Sequence, residues 1–119
     1  MVSVSENQIR ALDSFTTDDL YRAIGTADLG AFETGPKNPL ERGRLIFQQM
    51  LPQLKAHLCG NAVFAKVLTE RSFRTPVDLA VLICDALLQI EVFKGVPIGA
   101  VSLIIVRELL DTLCLPDSS

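Results

Sequence analysis

Tryptophan is absent from the 119 residues, tyrosine and histidine occur once each, and cysteine occurs three times. A single histidine confines any histidine-dependent mechanism to His57. His57 and Cys59 stand close together on an expected helix but about 200° apart around its axis, which makes them a poor catalytic pair. Cys59, Cys84 and Cys114 show no C-x-x-C spacing, and their odd number leaves one unpaired under any disulfide scheme. With His57 they offer zinc-ligand chemistry but not the close paired spacing of zinc sites, so no metal is expected. The expected state is buried, reduced thiols in a cytoplasmic protein.

Other absences narrow the function further. No G-x-x-x-x-G-K-[ST], G-x-G-x-x-G or G-x-S-x-G pattern occurs, and no spacing places two carboxylates in one cleft. Neither a catalytic constellation nor a cofactor is therefore expected. The longest strictly apolar runs, Leu79 to Cys84 and Leu103 to Val106, fall well short of the roughly 18 residues a membrane span needs. The opening residues, Met1 to Glu6, lack the basic and then apolar pattern of a secretory signal.

What is present is a chain 49% hydrophobic and 21% charged, too apolar for disorder. Its length fits one domain over 1–119, with short disordered ends expected at 1–4 and 116–119. The net charge of −3 is unevenly spread: −4 over residues 1–36, +5 over 37–74 and −4 over 75–119. Neutralisation between segments explains such a pattern most simply; an anion-binding or nucleic-acid-binding face on 37–74 is the alternative. That alternative draws on Arg42, Arg44, Lys55, Lys66, Arg71 and Arg74, with Phe73 among the last of them. It is opposed by a sequence pI near 5.0 and the lack of interleaved aromatics.

Local signals mark helices throughout, and the spacing predicts an all-α, single-domain bundle of five or six helices. Ser5 followed by Gln8 has the capping-box pattern, with Ile9, Leu12 and Phe15 on the inner side. Thr16 or Thr17 before Asp18 and Asp19 opens a second helix with Leu20, Tyr21 and Ile24 inward. Residues 33–39 read as a connection. Asn38 and Pro39 start a long amphipathic helix toward Cys59, burying Leu40, Gly43, Phe47, Met50, Leu54 and Leu58, with a kink or break expected at Pro52. A short helix over 62–71 turns Val63, Phe64, Val67 and Leu68 inward. Thr75, Pro76 and Asp78 make a clear start for the next helix, which Gly95 is expected to stop. Pro97 opens the last one, so a tight turn joins the final two helices in an apolar antiparallel hairpin.

That hairpin is the feature on which a functional reading turns, since 25 of the 39 residues from Pro76 to Cys114 are apolar. Asp78, Asp85 and Gln89 form a thin polar stripe on its first helix. Arg107, Glu108 and Asp111 give the second half of the last helix a wet side, whereas Ala100, Leu103 and Ile104 continue that side as grease. Residues 96–106 are thus either wrapped by the other helices or left open for a partner. Asp85 is expected to reach solvent, with a buried pairing to Arg107 or Arg74 as the alternative. In size and helix count the chain resembles small adaptor bundles. The expectation is a non-enzymatic protein-protein interaction or adaptor module, binding a protein partner or a second copy of itself as a homodimer. Its contact residues are expected to be Ala100, Leu103, Ile104 and Arg107, with Arg42 and Arg44 as a second, polar face.

Overall fold

Six α-helices account for the architecture of the described residues, with no strand among them. The computed structural model describes residues 4–27, 38–93 and 95–114. Most of the 33–39 connection and nearly all of the expected disordered ends lie outside them. In order the helices are α1 (Val4–Leu12), α2 (Thr17–Thr26), α3 (Pro39–Leu58), α4 (Ala62–Glu70), α5 (Pro76–Leu88) and α6 (Ile98–Ile104). A radius of gyration of 13.7 Å matches the value of about 13.5 Å for one compact body of this length.

Four starts follow directly from capping chemistry. Thr16 Oγ1 accepts from Asp19 N at 3.1 Å, Asn38 Oδ1 from Leu40 N at 2.9 Å, Asn61 Oδ1 from Val63 N at 2.7 Å and Thr75 Oγ1 from Asp78 N at 3.1 Å. Each oxygen satisfies an amide that the first helical turn leaves without a partner. Ser5 does not cap: it lies inside α1, is 2% exposed and donates its hydroxyl to Asp85. Phe15, expected inward, is 39% exposed. Pro52 does not break α3, because both it and Gln48, whose carbonyl the ring crowds, sit on the exposed side. α5 ends at Leu88 rather than at Gly95. The chain leaves it through i to i−3 bonds, Ile90 N to Leu87 O and Phe93 N to Ile90 O, and the 3₁₀ turn Glu91–Phe93 buries Phe93.

α2 and α3 cross in close backbone approach at Gly25 and Gly43. A Cβ added to Gly43 would fall 1.7 Å from Tyr21 O, and one added to Gly25 would fall 1.9 Å from Pro39 O. Two backbones therefore touch where the chain supplies no side chain. Leu20 and Ile24 from α2 meet Ile46, Phe47 and Met50 from α3 in the core beside this crossing.

α6 is enclosed on every side: all seven of its residues, Ile98 through Ile104, are buried. α1, α2 and α5 pack against it. Beyond Ile104 the backbone winds into a π-helical turn, Ile105–Leu109, and ends in irregular turns to Cys114. Cys59, at the C-terminal cap of α3, is joined there to Cys114 by a disulfide across 55 residues, while Cys84 alone is free and buried. The expectation of three reduced thiols is corrected by this pairing, which sequence spacing does not encode. It also removes the ground for a cytoplasmic setting, since disulfides persist mainly in oxidising compartments. For a loop of this length, closure entropy puts the bridge at about 4 kcal/mol.

Candidate functional site

The charge pattern resolves into ion pairs. Arg44 pairs with Asp18 at 2.9 Å, joining the basic segment to the first acidic one, and Arg71 pairs with Asp111 in the last. Within the basic segment, Glu70 accepts from Arg74 at 3.0 Å and lies 3.9 Å from Lys66. These cations are thus spent on carboxylates, as neutralisation between and within segments requires. Arg44 also stands over the Tyr21 ring at 5.7 Å, within cation–π range. Tyr21 in turn meets Phe47 edge-on at 5.7 Å and donates to Glu108 at 3.3 Å. Burial, followed by the Glu108 carboxylate, pushes the Tyr21 hydroxyl up to about 12.

The six expected contact residues do not form one surface. Ala100, Leu103 and Ile104 are 0%, 1% and 0% exposed, wrapped by the chain's own helices. Arg107 is exposed, yet its guanidinium donates to the backbone carbonyls of Phe15 at 2.8 Å and Asp13 at 2.9 Å, fastening the α1–α2 turn. Arg44 is held by Asp18. Arg42 is half-buried, and its Nε finds no partner among the described residues. Asp85 reaches solvent, as expected, and accepts from Ser5 rather than from Arg107 or Arg74. Burial pushes the Cys84 thiol up, beside Ser5 and Ser102 in the α1–α5–α6 interface. His57 lies edge-on to Phe93 at 5.8 Å, and no group of three or more metal-ligating side chains gathers among the described residues. No helix among them is long and apolar enough to cross a membrane.

Two grooves flank the buried α6. One is lined at the exit of α5 by Leu88, Ile90, Phe93, Val96 and Ile98, with Leu88 47% and neighbouring Val92 42% exposed. The other lies along the π turn and just past it, where Leu79, Val106 and Leu110 are its apolar lining and Arg71, Arg74, Arg107, Glu108 and Asp111 its charged lining. Between Arg71 and Arg74, in the turn joining α4 to α5, stands Phe73, 87% exposed. Its backbone is fixed, because Phe73 N donates to Glu70 O at 2.9 Å and both flanking arginines are paired. The ring thus stands in water on an anchored turn. The sequence signal for it is the Arg71 to Arg74 turn, where Phe73 counts as an aromatic among cations in the nucleic-acid-binding alternative.

The chain matches no known protein-family model, and no curated protein or solved structure is significantly similar to it.

Proposed function

We propose that this chain is a non-enzymatic helical protein-protein interaction module that docks a second copy of itself through the Phe73 turn and the groove beside it. In this reading α5 and α6 pack as an antiparallel pair whose interior is closed, and contact moves downstream to Val106 and Leu110. The observation that carries the reading is Phe73, because a phenylalanine left almost wholly in water forgoes burial worth about 1.5–3 kcal/mol. A lining of apolar residues and of both charge signs suits a protein surface, whereas a nucleic acid would call for unpaired cations.

Light scattering coupled to size exclusion, across a wide concentration range and at two salt levels, tests the reading. The expected result is a mass that rises with concentration, survives added salt and falls back to monomer in Phe73→Asp and Leu110→Asp. A strictly monomeric wild type would remove self-association. Loss of association in Leu88→Asp but not in Phe73→Asp would move the interface to the groove at the end of α5. Retention on a nucleic acid that collapses with salt would favour the basic-segment alternative.

A further inference from the structure

The wall of the Phe73 groove is a short strap with a covalent lock, and the inference drawn from it rests on reading that groove as the docking surface. Leu110 and Asp111 line the groove, and Cys114, one turn further on, is bonded to Cys59. Up to Glu108 the strap is tied by Arg107 to the Phe15 and Asp13 carbonyls and by Glu108 to Tyr21. Past that point, among the described residues, only the half-buried Leu109 and Leu110, the Arg71–Asp111 pair and Leu113 hold it besides the bridge. Beyond Ile105 the described residues contain one fully buried side chain, Leu113. The backbone before it is π-helical, and the Arg71–Asp111 ion pair is exposed, with relative side-chain exposures of 43% and 73%. A segment with few buried contacts opens at low cost once its tether is cut. Cys114 is exposed, so an incoming thiolate reaches its sulfur from solvent.

We propose that the Cys59–Cys114 disulfide is a redox control on docking: the oxidised chain keeps the groove wall in place, and a dithiol reductant releases it. One thiolate of the reductant attacks Cys114 Sγ, forming a mixed disulfide and expelling the Cys59 thiolate. The second thiol of the reductant then displaces the Cys114 thiolate and closes its own disulfide. Two electrons pass to the protein, and the two protons of the reductant end on the two cysteine sulfurs. Cys84 takes no part, since it is buried between α5 and its neighbours, so reoxidation has one pairing to restore.

The test uses the full chain with dithiothreitol as the dithiol. Denatured without reductant, the oxidised chain should show one reactive thiol, and after reduction three. Hydrogen exchange of residues 109–113 should accelerate by about tenfold or more on reduction, while α2 and α3 stay protected. Cys114→Ser should reproduce that exchange without reductant, and self-association should fall in both. Three free thiols in chain exposed to oxidised glutathione would overturn the proposal. So would unchanged exchange, or acceleration spread evenly over all helices, which would make the bridge a general staple. A strap that opens while association stays constant would separate the bridge from docking. A chain monomeric in both states would instead defeat the docking reading, and with it the control, whatever the exchange shows.

Discussion

Substituting Gly43 by alanine sets two effects of opposite sign against each other. In a helix interior alanine is better than glycine by about 0.8–1 kcal/mol, so propensity alone makes the variant more stable. The crossing with α2 argues the reverse. The new Cβ would lie 1.7 Å from Tyr21 O, 2.6 Å from Tyr21 C and 3.1 Å from Gly25 N, all of them backbone atoms that no rotamer change can move. Relief requires α2 and α3 to part by more than about 1 Å, loosening Leu20, Ile24, Ile46 and Phe47. Overpacking of this kind costs about 1–3 kcal/mol, and a backbone clash belongs at the upper end. The net expectation is a loss of about 2 kcal/mol, or a melting temperature lower by roughly 8 °C for a domain of this size. Urea denaturation followed by helical circular dichroism measures it. Gly25→Ala should behave alike, and the double variant should lose less than the two singles together, because helices already parted do not clash twice. A Gly43→Ala chain as stable as wild type would refute the close crossing.

Three further outcomes follow from burial. Leu103→Asp places a carboxylate in an interior that is 1% exposed at that residue, so it should abolish cooperative unfolding, whereas Leu110→Asp, at a half-buried groove position, should leave the helical signal intact. Tyr21 is the only tyrosine and tryptophan is absent, so its phenolate absorbance can be titrated directly, with a midpoint expected near 12 rather than near 10. Its raised folded value means that this contribution to stability is complete below about pH 10 and is lost as pH climbs through about 12; Tyr21→Phe should lack that loss. Cys84, buried and with its thiol pushed up by that burial, should react with a thiol reagent only as fast as the chain opens, and immediate reaction in the folded state would contradict its place in the core.

The parts of this fold legible in the sequence are those decided within a single turn of chain. Thr16, Asn38 and Thr75 cap because an oxygen two or three residues before a free amide suffices, whatever the rest of the chain does. The inward faces of α3 and α4 follow from periodicity, since one face of each meets water. Ser5 carries the same local pattern but spends its hydroxyl on Asp85, 80 residues away, and no local rule contains that partner. Cys59 and Cys114 are likewise joined by topology: only the folding of the last segment back onto the end of α3 selects their pairing over the two involving Cys84. Phe73 was visible as a residue, but its exposure depends on α4 ending at Glu70 and on both neighbouring arginines being paired.

The burial of Ala100, Leu103 and Ile104, which the sequence pattern presents as an open face, has a more specific cause. Ala100, Leu103, Ile104, Arg107 and Asp111 fall on one side of an uninterrupted α-helix, so grease above and charge below looks like an open surface with a polar border. The chain departs from that helix at Ile105, where the π-helical turn begins. A turn that closes its hydrogen bonds one residue later rotates everything downstream by about 100° relative to an α-helix. Ala100 and Ile104 can then face the interior, covered by α1, α2 and α5, while Arg107 and Asp111 face water without contradiction. Leu103 and Leu110, two turns apart and equivalent by periodicity, come to differ in role, the first filling the core and the second lining the groove. The last third of the chain is apolar because it passes through the centre of the molecule. The groove lined by Val106 and Leu110 lies at that rotation and just past it, where the strap to Cys114 begins.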